Sequence, residues 1–474
     1  MLSPVLGLLL ALALPAGSAQ PTARADTVRP APPAERARHA TLFGWDRRVR
    51  TAVWDRSHAV GGLYADRGVL GRWTRQMDHE YDLDLFSILP TPADDAAFYA
   101  SPRGVRTSAG SITTAHFVVE SEVQTGARLA GPLALDLRVV QQEDLSAERA
   151  LVELGYRVDL GRGHAVALRH SLASLKVDLD VELVYAYRHR RLDVELAAGR
   201  LDGLNNLVNA TLVPSPVHVD TLRVYETPPV WLRGRVSVPV GPARVEAVGG
   251  VTPAARAAVR SQTVEQARFS YESAFRYGGV LAEVELAGPA LVVGATASGS
   301  RSASARRTPP DVAERSDVAS RQLQLRGGVF ALGAWRALRG QAWWTRERAA
   351  DQQGGSAFAG ATVDGPYDVE ERWTWTRLRL DWVPGAARGP LVGAEVAAGL
   401  RRFPVEGDQE EIQREVLRFF PYGPNRRVTL RAGYRFSPRA DVVFGASVDL
   451  DGDPFLTGQD NTYDGAYVRL RALW

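Results

Sequence analysis

From about residue 111 to its end, the chain alternates apolar and polar side chains with period two. In VTLRAGYRFS, Val428, Leu430, Ala432, Tyr434 and Phe436 fall on one side, and Thr429, Arg431, Gly433 and Arg435 on the other. Successive side chains of an extended strand point to opposite faces, so this is a strand with one apolar and one polar face. LALDLRVV repeats the pattern, with Leu133, Leu135, Leu137 and Val139 against Asp136 and Arg138. ALVELGYRVDL sets Val152, Leu154, Tyr156 and Val158 against Glu153, Arg157 and Asp159. A chain built this way must form sheet, and every apolar face and every edge of that sheet needs cover.

The connections alternate as well. Tight ones carry Gly-Pro, at Gly131, Gly241, Gly288 and Gly389, and this pair supplies turn geometry. Long polar ones occupy 301–317, 346–368 and 403–426. Short turns at one rim and long loops at the other describe an up-and-down sheet. The pattern predicts strands near 111–124, 133–142, 149–160, 165–176, 177–188, 192–199, 229–240, 243–252 and 270–287. It continues near 290–304, 319–332, 335–348, 370–383, 391–404, 427–437, 441–451 and 462–474. EYDLDLFSIL (80–89) alternates too, and adding it brings the expected number to about 18, within a range of 16–18. An even number puts both ends of the wall at one rim.

The apolar faces meet either a second sheet or lipid. Many apolar-face positions are small, as at Ala394, Ala398 and Ala446. Trp382, Phe436 and Trp474 fall beside the short turns, and Trp231, Trp343, Trp344, Trp373 and Trp375 nearer the long loops. Two aromatic bands at the water interfaces suit a lipid-facing wall. Closure satisfies every edge, so the expected fold is an all-β transmembrane antiparallel up-and-down β-barrel.

The first residues, MLSPVLGLLLALALPAGSAQ, read as a secretory signal peptide over 1–19, too short in its apolar run to span a bilayer as a helix. Residues 20–40, rich in Pro, Ala and Arg, read as a disordered linker. Residues 41–79, with WDRRVR and WDRSH, read as a periplasmic segment or a plug, and 80–474 as the barrel. There is no cysteine, which removes disulfides and thiolate chemistry. The net charge of +3 argues against a nucleic-acid partner. All but one of the 57 basic residues are arginine, the exception being Lys176, and arginine suits confined ion pairs.

The signal sequence, the amphipathic strands and the final YVRLRALW together resemble Gram-negative outer-membrane β-barrel proteins. The resemblance implies an outer-membrane location, with lipid around the wall and the barrel-assembly machinery as a partner during biogenesis. It implies that Ala466, Val468, Leu470, Ala472 and Trp474 form the assembly signal, with Leu470 and the terminal Trp474 at its heart. Homo-oligomerisation is left open.

If the apolar faces meet lipid, the polar faces line a lumen. One sector presents Asp178, Asp180, Glu182, Asp193 and Glu195 with Lys176. Another presents Arg339, Arg377, Arg379, Arg431, Arg435, Arg469 and Arg471, with Asp381 and Glu395. Opposed walls of this kind would set a transverse field across a water-filled constriction. The expected function is a weakly selective pore for small polar solutes, with a weak preference for anions. The alternative is a filled lumen with locally paired charges, as Asp136 and Arg138 suggest, in a structural or surface-polymer-binding barrel. The long segment 200–228 is a constriction loop or an ordinary surface loop.

A lipid-modifying barrel enzyme is the remaining reading, and no catalytic residue is assigned. There is no G-x-S-x-G, and His170 and Ser174 share a strand face about 13 Å apart, too far for a hydrogen bond. No cofactor is expected. The eight histidines lack metal-ligand spacing. DLDGDPFLTGQD, with Asp449, Asp451, Asp453 and Asp460, resembles a calcium loop in carboxylate spacing alone, and reads better as a solvated acidic turn.

Overall fold

The computed structural model describes Phe98, Pro310 and residues 103–113, 116–143, 148–171, 180–189, 192–200, 222–228, 230–260, 269–286, 291–307, 318–355, 367–384, 388–402, 423–450 and 463–474. The strands are β1 (Gly104–Thr113), β2 (His116–Ala130), β3 (Leu133–Glu143), β4 (Glu148–Gly161), β5 (His164–Ser171), β6 (Asp180–His189) and β7 (Leu192–Arg200). Next come β8 (Leu222–Thr227), β9 (Val230–Val240), β10 (Ala243–Arg260), β11 (Phe269–Glu285), β12 (Leu291–Arg307) and β13 (Val318–Trp335). The last are β14 (Leu338–Gly355), β15 (Tyr367–Trp382), β16 (Gly389–Arg402), β17 (Gly423–Ser437), β18 (Ala440–Asp449) and β19 (Tyr463–Leu473).

Neighbours in sequence are neighbours in the sheet, and the pairing is antiparallel throughout. The sheet closes on itself where β1 pairs β19, from Gly104 opposite Leu473 to Ser111 opposite Ala466. Nineteen segments fill eighteen places. β8 and β9 lie end to end against β10, with Thr227 opposite Arg256 and Leu232 opposite Val251. Pro228 and Pro229 separate them, and proline has no N–H to give the ladder.

Eighteen is reached by a different route from the one the pattern predicts. The expected strand near 111–124 contains the end of β1 and much of β2, which pair with each other across residues 114 and 115. The segment 80–89 lies outside the described residues, and the wall closes without it. The long run 165–188 divides into β5 and β6. Part of the expected loop 200–228 is β8.

Two tight turns show why the hairpins keep register. Gly131 and Gly241 have φ of 50° and 62°, each followed by proline. A positive φ then a negative one suits the type II′ hairpin, whose twist matches the strands. Arg336 takes the same position between β13 and β14 with φ of 52°, which a side-chain-bearing residue adopts only under strain.

The two faces are inverted relative to a water-soluble sheet. Leu430 is 63% exposed while its neighbour Arg431 is 4% exposed. The same holds for Leu183 beside Glu182, and for Leu378 and Leu380 around Arg379. Trp335, Trp382, Phe436 and Trp474 stand exposed at the short-turn rim. An outer surface this apolar is stable against lipid, where a closed barrel leaves no unpaired backbone.

Candidate functional site

The inner wall carries the chemistry. From β1 to β6, ladder residues on inward positions alternate in sign from strand to strand, β7 is acidic like β6, and β9 returns arginine. Arg106 meets Glu122 at 3.4 Å, and Glu122 also accepts from Arg138 Nε at 2.7 Å. Arg138 reaches Glu153 at 3.4 Å, and Arg169 lies 3.7 Å from the same carboxylate. Arg169 then contacts Glu182 at 3.6 Å and Glu195 at 3.4 Å. Arg233 closes the run on Glu182 at 3.4 Å and also on Glu195, while Arg235 pairs Asp193. Glu122, Glu182 and Arg233 are all buried. A buried charge is tolerated only when paired and hydrogen-bonded, and here each carboxylate is shared by two or more guanidinium groups.

A second ladder occupies β15–β19. Arg379 donates through Nε to Asp381 at 2.7 Å, and Arg431 donates through Nη1 to the same carboxylate at 3.0 Å. Arg431 Nε donates to the Tyr467 hydroxyl at 2.8 Å. Arg469 donates to Asp441 at 2.8 Å, and Arg471 donates to its other oxygen. Arg377 lies 3.0 Å from Glu395. Arg339 and Arg435 stand opposite Asp381 and Asp441 in the ladder.

Glycine makes these reaches possible. Asp381, Gly393, Arg431, Gly445 and Tyr467 lie side by side across five strands. A Cβ at Gly393 would strike the Asp381 carboxylate, and one at Gly445 would strike the Tyr467 ring. Side chains from alternate strands therefore lie down over the glycines and meet.

The sector β9–β14 adds an apolar and aromatic cluster to buried carboxylates at Glu246, Glu283 and Glu347. Trp231, Val248, Tyr277, Leu281, Val292 and Phe330 form one buried cluster, with Phe275, Leu332 and Trp343 packed against it. Here too aromatics cover glycines: Tyr277 is opposite Gly250 and Phe330 opposite Gly294. Val140 of β3 belongs to the same cluster, although β3 is at least five places away in the wall. Apolar side chains therefore meet across the interior at this level. The Trp231 indole also donates to Glu182 at 3.2 Å, joining cluster and ladder over Gly199.

These positions correct two expectations. Trp231 and Trp375 are buried and, with Trp343, take inward positions, so of the described indoles expected near the long loops only Trp344 stands outside. Trp231 shares its parity with Arg233, and Trp375 with Arg377, a signal already present in the alternation. The acidic and basic sectors are also not bare opposing walls. β6–β7 and β16–β17 stand nine places apart in eighteen, but Glu182, Glu195 and Asp381 are neutralised on their own side. Asp180 accepts from the Ser171 hydroxyl at 3.1 Å. Lys176, Asp178, Asp451, Asp453, Asp460 and the Asp449 side chain lie outside the described residues. Arg106, Glu122, Glu153, Arg169 and Arg233 join the site unforeseen, although each is a charged residue on the polar face of its strand.

Near the short-turn rim the inner charges meet water. Arg157, between Asp136 and Asp159, is 41% exposed in its side chain, and Arg188 beside Asp193 is 75% exposed. Phe98 enters at this rim. It is buried, its carbonyl accepts from Gln124 Nε2 at 2.6 Å, and Arg106 lies over its ring. Leu470 and Trp474 are exposed on the outer face, with Arg469 and Arg471 inward.

Neither the protein-family models nor the curated proteins give a match to this chain. Among solved structures, it is similar to a loop-deletion mutant of OmpT, an outer membrane protein of Vibrio cholerae. The identity is 10%, over 78% of this chain and 97% of that one, with a TM-score of 0.37. It is also similar to OccK11 (OpdR) of Pseudomonas aeruginosa, at 10% identity over 78% and 93%, with a TM-score of 0.32. OccK2 (OpdF) of the same organism, solved in complex with glucuronate, gives 9% identity over 78% and 96%, with a TM-score of 0.34.

Proposed function

We propose that this protein is an outer-membrane barrel that passes small polar solutes slowly through a narrow, charge-laddered interior. The observation that carries the reading is the contrast in exposure along the inner wall. Arg157, Asp159 and Arg188 open onto a wet vestibule, while Arg106, Glu122, Glu182 and Arg431 at the ladders are almost wholly covered. Paired charges still offer a hydrated solute exchangeable hydrogen bonds, but they present little net field. In the β14–β19 sector the inward arginines Arg339, Arg377, Arg379, Arg427, Arg431, Arg435, Arg469 and Arg471 outnumber the described carboxylates Glu347, Asp381, Glu395 and Asp441, which supports a slight anion preference.

A filled lumen is the second reading, favoured by Val140 joining the aromatic cluster across the interior. Planar-bilayer recording in a salt gradient separates the two. The channel reading expects small unitary currents and a reversal potential shifted slightly toward that of the anion. Absent currents with no liposome swelling in small sugars would leave the filled barrel, and firm cation selectivity would remove the arginine argument. The exposed Leu470 and Trp474 support a role as the assembly signal. Deleting Trp474 is then expected to lower the amount of folded barrel in the membrane more than it alters any current per barrel.

A further inference from the structure

The chain that leads into β1 is held inside the barrel. Phe98 is wholly buried, its carbonyl accepts from Gln124 Nε2 at 2.6 Å, and the Arg106 guanidinium lies 5.7 Å from its ring centre. Gln124 and Arg106 are buried inward residues of β2 and β1. β2 continues from Gln124 to Ala130 before it turns, so Phe98 lies within the wall and not below it. The segment that precedes Phe98 is therefore tethered at its end to the lumen.

Positive charge is concentrated at that tether. Arg106 stands directly opposite Arg471 across the β1–β19 seam. Arg471 and Arg469 both donate to Asp441, and Arg435 is opposite the same residue in the β17–β18 ladder. Arg106 in turn shares Glu122 with Arg138. Each of these guanidinium groups has partners, so the feature is the sum over the group. Five arginines, Arg106, Arg138, Arg435, Arg469 and Arg471, meet the two carboxylates Glu122 and Asp441. A surplus of one sign in a covered site is costly until opposite charge is brought to it.

The sequence carries that opposite charge next to the tether. Residues 76–97 lie outside the described residues. They include Asp78, Glu80, Asp82, Asp84, Asp94 and Asp95, and neither lysine nor arginine. Asp95 is three residues from Phe98, and three extended residues reach about 10 Å, or about two strand spacings. That is enough to pass from β1 to β19. Carboxylates tethered this way act at an effective concentration that free anions do not match.

We propose that the acidic segment 78–95 docks inside the barrel, with Asp94 and Asp95 on the arginines of β1, β17 and β19. The docking does not depend on whether the rest of the lumen conducts.

The chain has no cysteine, so an introduced one reports its own surroundings alone. Ser87→Cys, inside the acidic segment, and Ala25→Cys, far upstream, are compared in the full chain folded in detergent. The reagent is a maleimide on a polyethylene glycol too bulky for the lumen. Ser87→Cys is expected to react about tenfold more slowly or less. Neutralising the segment, as D78N/E80Q/D82N/D84N/D94N/D95N, is expected to bring the two rates together. R471Q is expected to speed the reaction of Ser87→Cys, while R336Q, at the exposed β13–β14 turn, leaves it unchanged. Heat-modifiable gel mobility confirms that each variant is folded, and the comparison of the two cysteines needs no change to the wall. The proposal is overturned if Ser87→Cys reacts as fast as Ala25→Cys, if the neutralised segment stays protected, or if R471Q and R336Q act alike. Planar-bilayer recording of the same proteins keeps this apart from the channel reading. Protection without currents removes the channel and keeps the docking, and currents with an unprotected Ser87→Cys do the reverse.

Discussion

The inner wall solves one problem in two ways. In β1–β7 and β15–β19 the inward wall carries charge ladders in which Glu122, Glu195, Asp381 and Asp441 are each shared among arginines. In β9–β14 an aromatic and aliphatic cluster lies over the glycines of the next strand, beside the buried carboxylates Glu246, Glu283 and Glu347. Both remove side chains from water. They differ in what they tolerate. An apolar cluster loses contacts in proportion to the atoms removed. A buried ladder fails at one link, because deleting a carboxylate strands the arginines that shared it.

The sharpest way to break this comparison is Asp381→Ala. It removes the carboxylate common to Arg379 and Arg431, and a loss of about 3–5 kcal/mol is expected. Asp159→Ala, in the exposed vestibule, is expected to cost under about 1 kcal/mol. Urea unfolding in lipid vesicles, followed by tryptophan fluorescence, measures both, and equal losses would erase the distinction between ladder and vestibule. Leu281→Ala in the aromatic sector follows, at about 2–4 kcal/mol, with a loss that stays constant as salt is raised. Gly445→Ala comes next. The added methyl strikes the Tyr467 ring and disturbs its bond from Arg431, at about 1–3 kcal/mol, read in the same assay. The smallest effect is a gain. Arg336→Gly relieves the positive φ at the β13–β14 turn and is expected to raise stability by up to about 1 kcal/mol, seen as a higher melting temperature of the heat-modifiable gel band.

Much of this wall was legible in the chain. Period two assigned Leu470 and Val468 to the outside and Arg469 and Arg471 to the inside, and the structure places them so. The Gly-Pro signals at Gly131 and Gly241 marked real hairpins. The β1–β2 hairpin was hidden, because its two-residue connection carries neither glycine nor proline and the alternation runs through it. The indoles were misplaced for another reason. Position along the strand suggested an interface band, but the parity they share with arginine decides the face.

Which side of the wall a residue takes is therefore a property of the sequence, since alternation is local and needs only the strand itself. The same pattern implies closure, because an open sheet would leave its edge strands unpaired. Which residue it meets there was decided by the tertiary structure. Glu122 takes Arg106 and Arg138 from two different strands, and Arg431 crosses glycines on both sides to reach Asp381 and Tyr467. Those partners are fixed by register and by which strands adjoin, and both follow from closing the whole sheet rather than from any one segment of it.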